Sequence, residues 1–365
     1  MNINTVLVFP INMDASEDFI GHVKSLGIRV IGASSVNILE KIDIDNLFNL
    51  PFVTDDLFAE KLHTLIKEEE ITHLHSSHTG VWTTFQTLIQ HDERFQNIIL
   101  CQPFPFEENW LKIKKSLAWG ESVLTDDYIK TLPADLQNSP ATELKPAELA
   151  GLHGQYTSIL GHCDEEKLAA MVHILANTPC GDIVEIGSLF GRSAFALGWL
   201  ANRFNIGSTI CVDPWDMKKI KDQGKKADIL NKGNDQVDFE KIFNSFLVNI
   251  SLLERISYIK ETSVEAEAVY KQAAVSKYLD QKDVYRVPIE GKIALLHIDG
   301  NHEFRQVLQD VETWVPYVKS GGWVLLDDYE WAFGDGPREV GNMLLNSWQY
   351  DFHFVVSDTL VLKKA

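Results

Sequence analysis

Short apolar runs alternate along this chain with longer segments whose apolar positions recur every three or four residues. In the first part the short runs are "TVLVFP", "RVIGASS", "ITHLHSS" and "NIILCQP", with the helical "SEDFIGHVKSLG" and "DDLFAEKLHTLIKEEE" among them. Alternating β and α units imply a parallel sheet with helices on its faces. A small Rossmann-like α/β domain is expected over residues 1–115. The stretch "KTLPADLQNSPATELKPAELA", residues 130–150, has three prolines and no clear period. It reads as part of a connector over residues 116–160.

The second half, residues 161–365, opens on the helical "DEEKLAAMVHILANT" and alternates again. Five strands are expected, in "GDIVEIG", "STICVDP", "ISYIKET", "KIALLHID" and "GGWVLLDD", with helices "SAFALGWLANRF" and "FEKIFNSFLVN" between the first three. Between the fourth and fifth, Phe304, Val307, Leu308, Val311, Trp314, Val315 and Val318 fall on one helical face. The tail "YDFHFVVSDTLVLKK" predicts a hairpin closing the sheet. Two stretches, around 217–237 and 271–290, exceed the usual connection length and read as lids or disordered pieces.

Composition narrows the class. At 365 residues, two domains are the default. A hydrophobic fraction of 45% and a charged fraction of 23% are those of a soluble globular protein. No apolar run reaches the ~20 residues of a membrane span, and "MNINTVLVFPINMD" lacks the basic start of a signal peptide. A cytoplasmic location is expected. Lys plus Arg number 33 against 52 Asp plus Glu, a net charge of −19, which argues against nucleic acid or an anionic membrane as partner. Cys101, Cys163, Cys180 and Cys211 are scattered without a CxxC spacing, as reduced thiols would be.

The candidate chemistry lies at the ends of the predicted strands of the second half. The first ends "VEIGSLFGRS", where Gly187 and Gly191 frame a turn and Ser193 begins a helix. Such a turn lets backbone amides and a helix N-terminus approach an anion, or is a plain strand-to-helix corner. The spacing is neither GxGxxG nor the phosphate loop ending in Gly-Lys-Ser/Thr. The second strand ends at Asp213, placed to bind ribose hydroxyls or to cap a helix. With Thr262 and Ser263 at the end of the third strand, these residues outline a nucleoside pocket. "LLHIDGNH" ends at Asp299 and "GGWVLLDDYEW" at Asp327 and Asp328. Three carboxylates on one sheet edge repel one another unless a cation sits among them, and hard oxygen ligands suit Mg²⁺, or Mn²⁺ or Ca²⁺ in its place. His302 either takes a substrate proton or merely starts the next helix. Tyr329, Trp331 and Phe333 either wall a substrate pocket or pack against the next helix.

On these residues, 160–365 resembles the class I S-adenosylmethionine (SAM)-dependent methyltransferases, including their terminal antiparallel hairpin. The resemblance implies that Glu185, Gly187, Ser188, Gly191 and Ser193 surround the methionine moiety, that Asp213 holds the ribose, and that Trp215, Thr262 and Ser263 lie near the adenine. Asp-x-x-His followed by an acidic pair is similar to metal-dependent O-methyltransferases, closest to the macrolide-sugar (mycinamicin and macrocin) type and their cephalosporin-hydroxylase-like relatives. That likeness implies Asp299, Asp327 and Asp328 as metal ligands, His302 as general base, a small hydroxylated substrate such as a sugar or natural-product intermediate, and a homo-oligomer. The catechol-type pattern has an amide where Asp328 stands.

In the first half His73 and His75 share a strand face, with His78 nearby, but no cysteine or acid completes a metal site. That half resembles the Rossmann-like domain that precedes ATP-grasp enzymes, without the ATP-grasp domain itself. It is expected to serve oligomerisation or the acceptor pocket. Two rival expectations stand beside O-methylation: another reaction on the same fold, such as hydroxylation, and a non-catalytic nucleoside-binding scaffold.

Overall fold

The computed structural model describes residues 5–36, 44, 46–216, 219, 237–330, 332–347 and 349–365. The chain divides into two units, residues 1–115 and 116–365.

The first unit is a parallel sheet of β1 (Thr5–Val8), β2 (Arg29–Ser34), β3 (Asn46–Asn49), β4 (His73–His75) and β5 (Ile99–Leu100), in the order β3-β2-β1-β4-β5. Three helices accompany it: α1 (Asp14–Ser25), α2 (Phe58–Glu68) and α3 (Thr79–His91). Alternation along the strands sends side chains to opposite faces. Leu7, Ile31 and Leu74 pack with Leu62 and Leu65 of α2 and Phe85 of α3, while Val6, Val8 and Val30 pack with Ile20 and Val23 of α1. Strand β3, "NLFN", escaped the pattern reading: it is an edge strand with an asparagine at each end and only Phe48 half-buried.

The stretch read as a connector contributes to the core of the second unit. After α4 (Pro105–Val123) come α5 (Asp126–Thr131), α6 (Ala134–Gln137) and α7 (Pro146–Ser158). Leu132, Leu136, Leu144, Leu149, Leu152 and Tyr156 are buried in one core with Leu168, Met171 and Val172 of α8 (Glu165–Ala176). Its prolines punctuate short helices: Pro133 caps α6, Pro140 opens a 3₁₀ turn and Pro146 is the first residue of α7. At such starts a missing N–H removes no helical bond.

The main sheet comprises β6 (Asp182–Ile186), β7 (Thr209–Val212), β8 (Ile256–Ile259), β11 (Ile293–Ile298), β12 (Val318–Leu326), β13 (Tyr350–Val356) and β14 (Thr359–Lys364), in the order β13-β14-β12-β11-β6-β7-β8. Strands β6 to β8, β11 and β12 run parallel, and β14 pairs antiparallel with both β12 and β13. The expected terminal hairpin is therefore present. Helices α9 (Arg192–Arg203), α10 (Phe239–Ile250), α11 (Ser263–Ser276), α12 (Phe304–Trp314) and α13 (Gly336–Leu345) complete the unit. Val307, Val311 and Trp314 form the buried stripe of α12, as their spacing predicts.

Of the two long stretches, 271–290 holds the end of α11 and a small antiparallel pair, β9 (Tyr278–Leu279) with β10 (Val287–Pro288). The stretch 217–237 lies outside the described residues apart from 219 and 237. Among the described residues, no helix is long and apolar enough to cross a membrane.

Candidate active site

The chain order reverses between β6 and β11: β7 and β8 lie to one side of β6, β12 to the other side of β11. In open α/β sheets, ligands sit outside the carboxyl ends of the strands at such a switch point. Ile186, Ile298 and Leu326 are paired across β6, β11 and β12, so Gly187, Asp299 and Asp327 leave the sheet side by side. The ladder continues past the strands, with Asp299 N–H donating to the Ile186 carbonyl at 2.8 Å and Asp327 N–H to the Ile298 carbonyl at 2.9 Å. Gly187 has φ 86°, and a Cβ there would lie 2.0 Å from the Asp299 carbonyl oxygen. Only glycine lets the turn after β6 close against the acid that ends β11.

The residues around the turn after β6 form a bonded unit. Glu185 is fully buried; one carboxylate oxygen accepts the Ser188 hydroxyl at 2.5 Å and the other faces His297 Nδ1 at 3.1 Å. Asp213 accepts the amides of Ser188 at 3.1 Å and Leu189 at 3.0 Å on Oδ2, and that of Trp215 at 2.8 Å on Oδ1. Burial raises its pKa, and these three amides partly offset the rise. Gly191, at φ 85°, is the N-cap of α9, and Ser193 is buried in the first turn.

The residues assigned toward the adenine have structural engagements. Trp215 is buried against Phe243, Phe246 and Tyr258, and its indole N–H donates to the Leu189 carbonyl at 2.8 Å. Thr262 caps α11, and Ser263 Oγ accepts the Trp314 indole N–H at 2.9 Å.

The acid side divides in two. Asp299, His302 and Asp328 bring a ligand atom each within 4.8 Å of one another, and so do His297, Asp299 and Asp327. His302 Nε2 is hydrogen-bonded to Asp328 Oδ2, with both side chains partly open to solvent. Asp328 adopts φ 55°, which turns the chain between the neighbouring acids. Asp327 is buried: its Oδ2 accepts the Lys167 ammonium and its Oδ1 the Thr359 hydroxyl, while His297 Nε2 lies 3.8 Å from Oδ2.

Burial would raise the pKa of Asp327, but the positive charge of Lys167, then His297, outweighs it and holds the carboxyl below its usual range. Burial raises Asp299 well above that range and the charge of Asp327 adds to the rise, against the opposing pull of Lys167. Crowded carboxylates beside an imidazole at a partly open edge are a donor set that fits a divalent cation.

Lys167, His297 and Thr359 were missed by the sequence reading. The first two did leave a signal. Lys167 lies on the same α8 face as Met171 and Ile174, a charge on an apolar stripe, and His297 interrupts the buried strand "IALLHI". Of the aromatic loop, Tyr329 packs against Gly341 of α13 and donates its hydroxyl to Asn342 at 2.8 Å. Phe333 is exposed, and Trp331 lies outside the described residues.

Comparison with known proteins gives one family and several distant folds. Residues 184–329 match the family model described as "Methyltransferase domain". No curated protein sequence matches the chain. Similar solved structures include the O-methyltransferase NovP, at 16% identity and TM-score 0.39 over 55% of this chain and 80% of that one. Another is the MycE methyltransferase of mycinamycin biosynthesis, solved with Mg, SAH and mycinamycin VI, at 14% identity and TM-score 0.36 over 59% of this chain and 54% of that one. A third is the O-methyltransferase TomG from Streptomyces achromogenes, solved with SAM, at 13% identity and TM-score 0.36 over 66% of this chain and 95% of that one. The matched residues carry the glycine turn, Asp213 and all three strand-end acids.

Proposed function

We propose that this chain is a SAM-dependent O-methyltransferase that methylates a hydroxyl of a small molecule, with a divalent cation at the acid edge. The observation that carries the reading is the shared register of β6, β11 and β12, which sets the Glu185–Gly191 turn beside Asp299, His302 and Asp328 within the methyltransferase domain. SAM supplies an already activated methyl group, so aligning and deprotonating the acceptor oxygen are the tasks left to the protein.

Glu185, Gly187, Ser188, Gly191 and Ser193 form the cradle for the methionine moiety. Asp213 holds the Ser188–Leu189 turn and turns toward the ribose, with Trp215, Thr262 and Ser263 around the base. Asp299, Asp327 and Asp328 would hold Mg²⁺ or a like ion, which when bound would lower the pKa of an acceptor hydroxyl. Asp328 orients the His302 imidazole through its hydrogen bond to Nε2, and His302 takes the hydroxyl proton. The oxygen then forms the bond to the methyl carbon as the carbon–sulfur bond breaks, and the electron pair stays on sulfur. Acceptors are small hydroxylated molecules such as sugars or natural-product intermediates, and the working form is a cytoplasmic homo-oligomer.

The test is a calorimetric titration of S-adenosylhomocysteine (SAH) and then Mg²⁺ into metal-stripped protein, with Asp213→Ala and Asp299→Ala alongside. Nucleoside binding lost in the first variant and metal binding lost in the second are expected. Absence of both from the wild type overturns the reading. Product mass separates methylation, a gain of one methylene, from hydroxylation, a gain of one oxygen.

A further inference from the structure

Lys167 is 2% exposed, lies in the first turn of α8 and points its ammonium at Asp327 Oδ2. Both features are unfavourable for a lysine. The first turn of a helix carries partial positive charge, and a buried ammonium loses its hydration. Both costs are offset here by the acids that end β11 and β12, with Asp327 in direct contact. Thr359, opening β14, holds the other oxygen of Asp327, and His297 stands behind it. Elements distant in sequence thus bring one fixed positive charge into the carboxylate cluster read above as a cation site.

We infer that Lys167 is an internal counter-cation that competes with the divalent ion for Asp327. It is a positioning residue, too buried to meet a substrate. In the metal-free protein it neutralises Asp327 and lets carboxylates lie close together; with a metal bound, its charge opposes the ion's. The inference rests on the proposed cation site and adds to it a residue that sets the site's affinity.

The experiment is titration of metal-stripped protein with Mn²⁺, followed by the loss of the free-ion electron paramagnetic resonance signal. Wild type, Lys167→Met, Lys167→Arg, Asp327→Asn and the double variant Lys167→Met/Asp327→Asn are compared. Removing a like charge a few ångströms from the ion is expected to tighten Mn²⁺ binding in Lys167→Met by about tenfold or more. Lys167→Arg keeps the charge and is expected to remain near wild type. A lysine with only a structural role predicts the opposite, weaker binding as the site loosens. Unchanged or weaker Mn²⁺ binding in a natively folded Lys167→Met overturns the inference. Should Lys167→Met fail to fold, the double variant decides, since it replaces the buried charged pair by neutral groups. It is then expected to bind Mn²⁺ about tenfold tighter than Asp327→Asn, and equal affinities overturn the inference. A wild type and variants that all leave Mn²⁺ free overturn the cation site itself, a result distinct from a wild type that binds while Lys167→Met gains nothing.

Discussion

The chain contains a parallel sheet in its first unit and a mixed one with a parallel centre in its second, and the described residues at their carboxyl edges make different contacts. In the first unit the strands run out into Phe9 and Pro10, Ser35, and Ser76 to His78. Hydroxyls and an amide meet there: Ser16 Oγ lies 3.4 Å from Ser77 Oγ, and Gln102 donates to the Ser76 carbonyl at 2.7 Å. His75 stacks on Phe19 with ring centroids 3.5 Å apart, and burial lowers its pKa to about 4. In the second unit the corresponding edge holds Asp213, Asp299, Asp327 and Asp328, with Lys167 set among them and Glu185 buried just behind. Parallel topology provides an edge in both units. In the second, Asp327, Lys167 and His297 lie within a few ångströms of one another, and there the match to the methyltransferase family model lies. His73 and His75 are outside the clusters with metal-ligand spacing found among the described residues.

The comparison can be broken most forcefully at Asp299. Asp299→Asn is expected to weaken Mn²⁺ binding by about 100-fold or more, whereas His73→Gln, at the start of β4 in the first unit, leaves it unchanged. Metal titrations of the two variants check this, and equal losses would erase the distinction.

His302→Gln keeps a hydrogen-bonding group beside Asp328 but removes the proposed base. It is expected to lower the methyl-transfer rate by about 10²–10⁴-fold, with SAH affinity near wild type. A matching loss of SAH affinity would instead make His302 a residue that shapes the nucleoside turn.

Gly187→Ala tests the closeness of the two strand ends. The added carbon meets the Asp299 carbonyl at 2.0 Å in a backbone conformation disfavoured for alanine. A destabilisation of about 2–4 kcal/mol is expected in denaturant melts, together with weaker SAH binding.

The smallest effect belongs to the first unit. Its His75 has a folded pKa of about 4 against an ordinary 6.5, so between those values the unfolded chain takes up a proton that the folded chain refuses. The stabilisation is therefore complete above pH 6.5 and is lost as pH falls toward 4. From pH 7 to pH 5 the loss is about 1–2 kcal/mol, and His75→Phe, which keeps the stack on Phe19, is expected to remove it. Denaturant midpoints of both proteins at the two pH values measure it.

Much of this was legible from local pattern. The short apolar runs and the three- and four-residue spacings locate the central strands and α12, because a strand covered on both faces is apolar throughout and a helix facing a core repeats with its own geometry. Polar edge strand β3 and the short helices α5 and α6 were not legible, since their apolar positions are too few for a period, and α7 went unread although Leu149, Leu152 and Tyr156 hold helical spacing. The acids at the strand ends were visible because an apolar run that stops in carboxylates is conspicuous in one dimension.

The partners of those acids were decided by the tertiary structure. Lys167 and Asp327 are 160 positions apart and His297 and Glu185 are 112 apart. The division of three candidate ligands into Asp299 and Asp328 with His302, and Asp327 with Lys167 and Thr359, depends on which side chains the packed sheet and α8 bring within hydrogen-bond reach. By itself the sequence determined the alternation of elements and the residue types at the strand ends, both written into neighbouring positions. Charge pairing depends on distances of a few ångströms across the fold, and it was settled only when the helices and strands had packed.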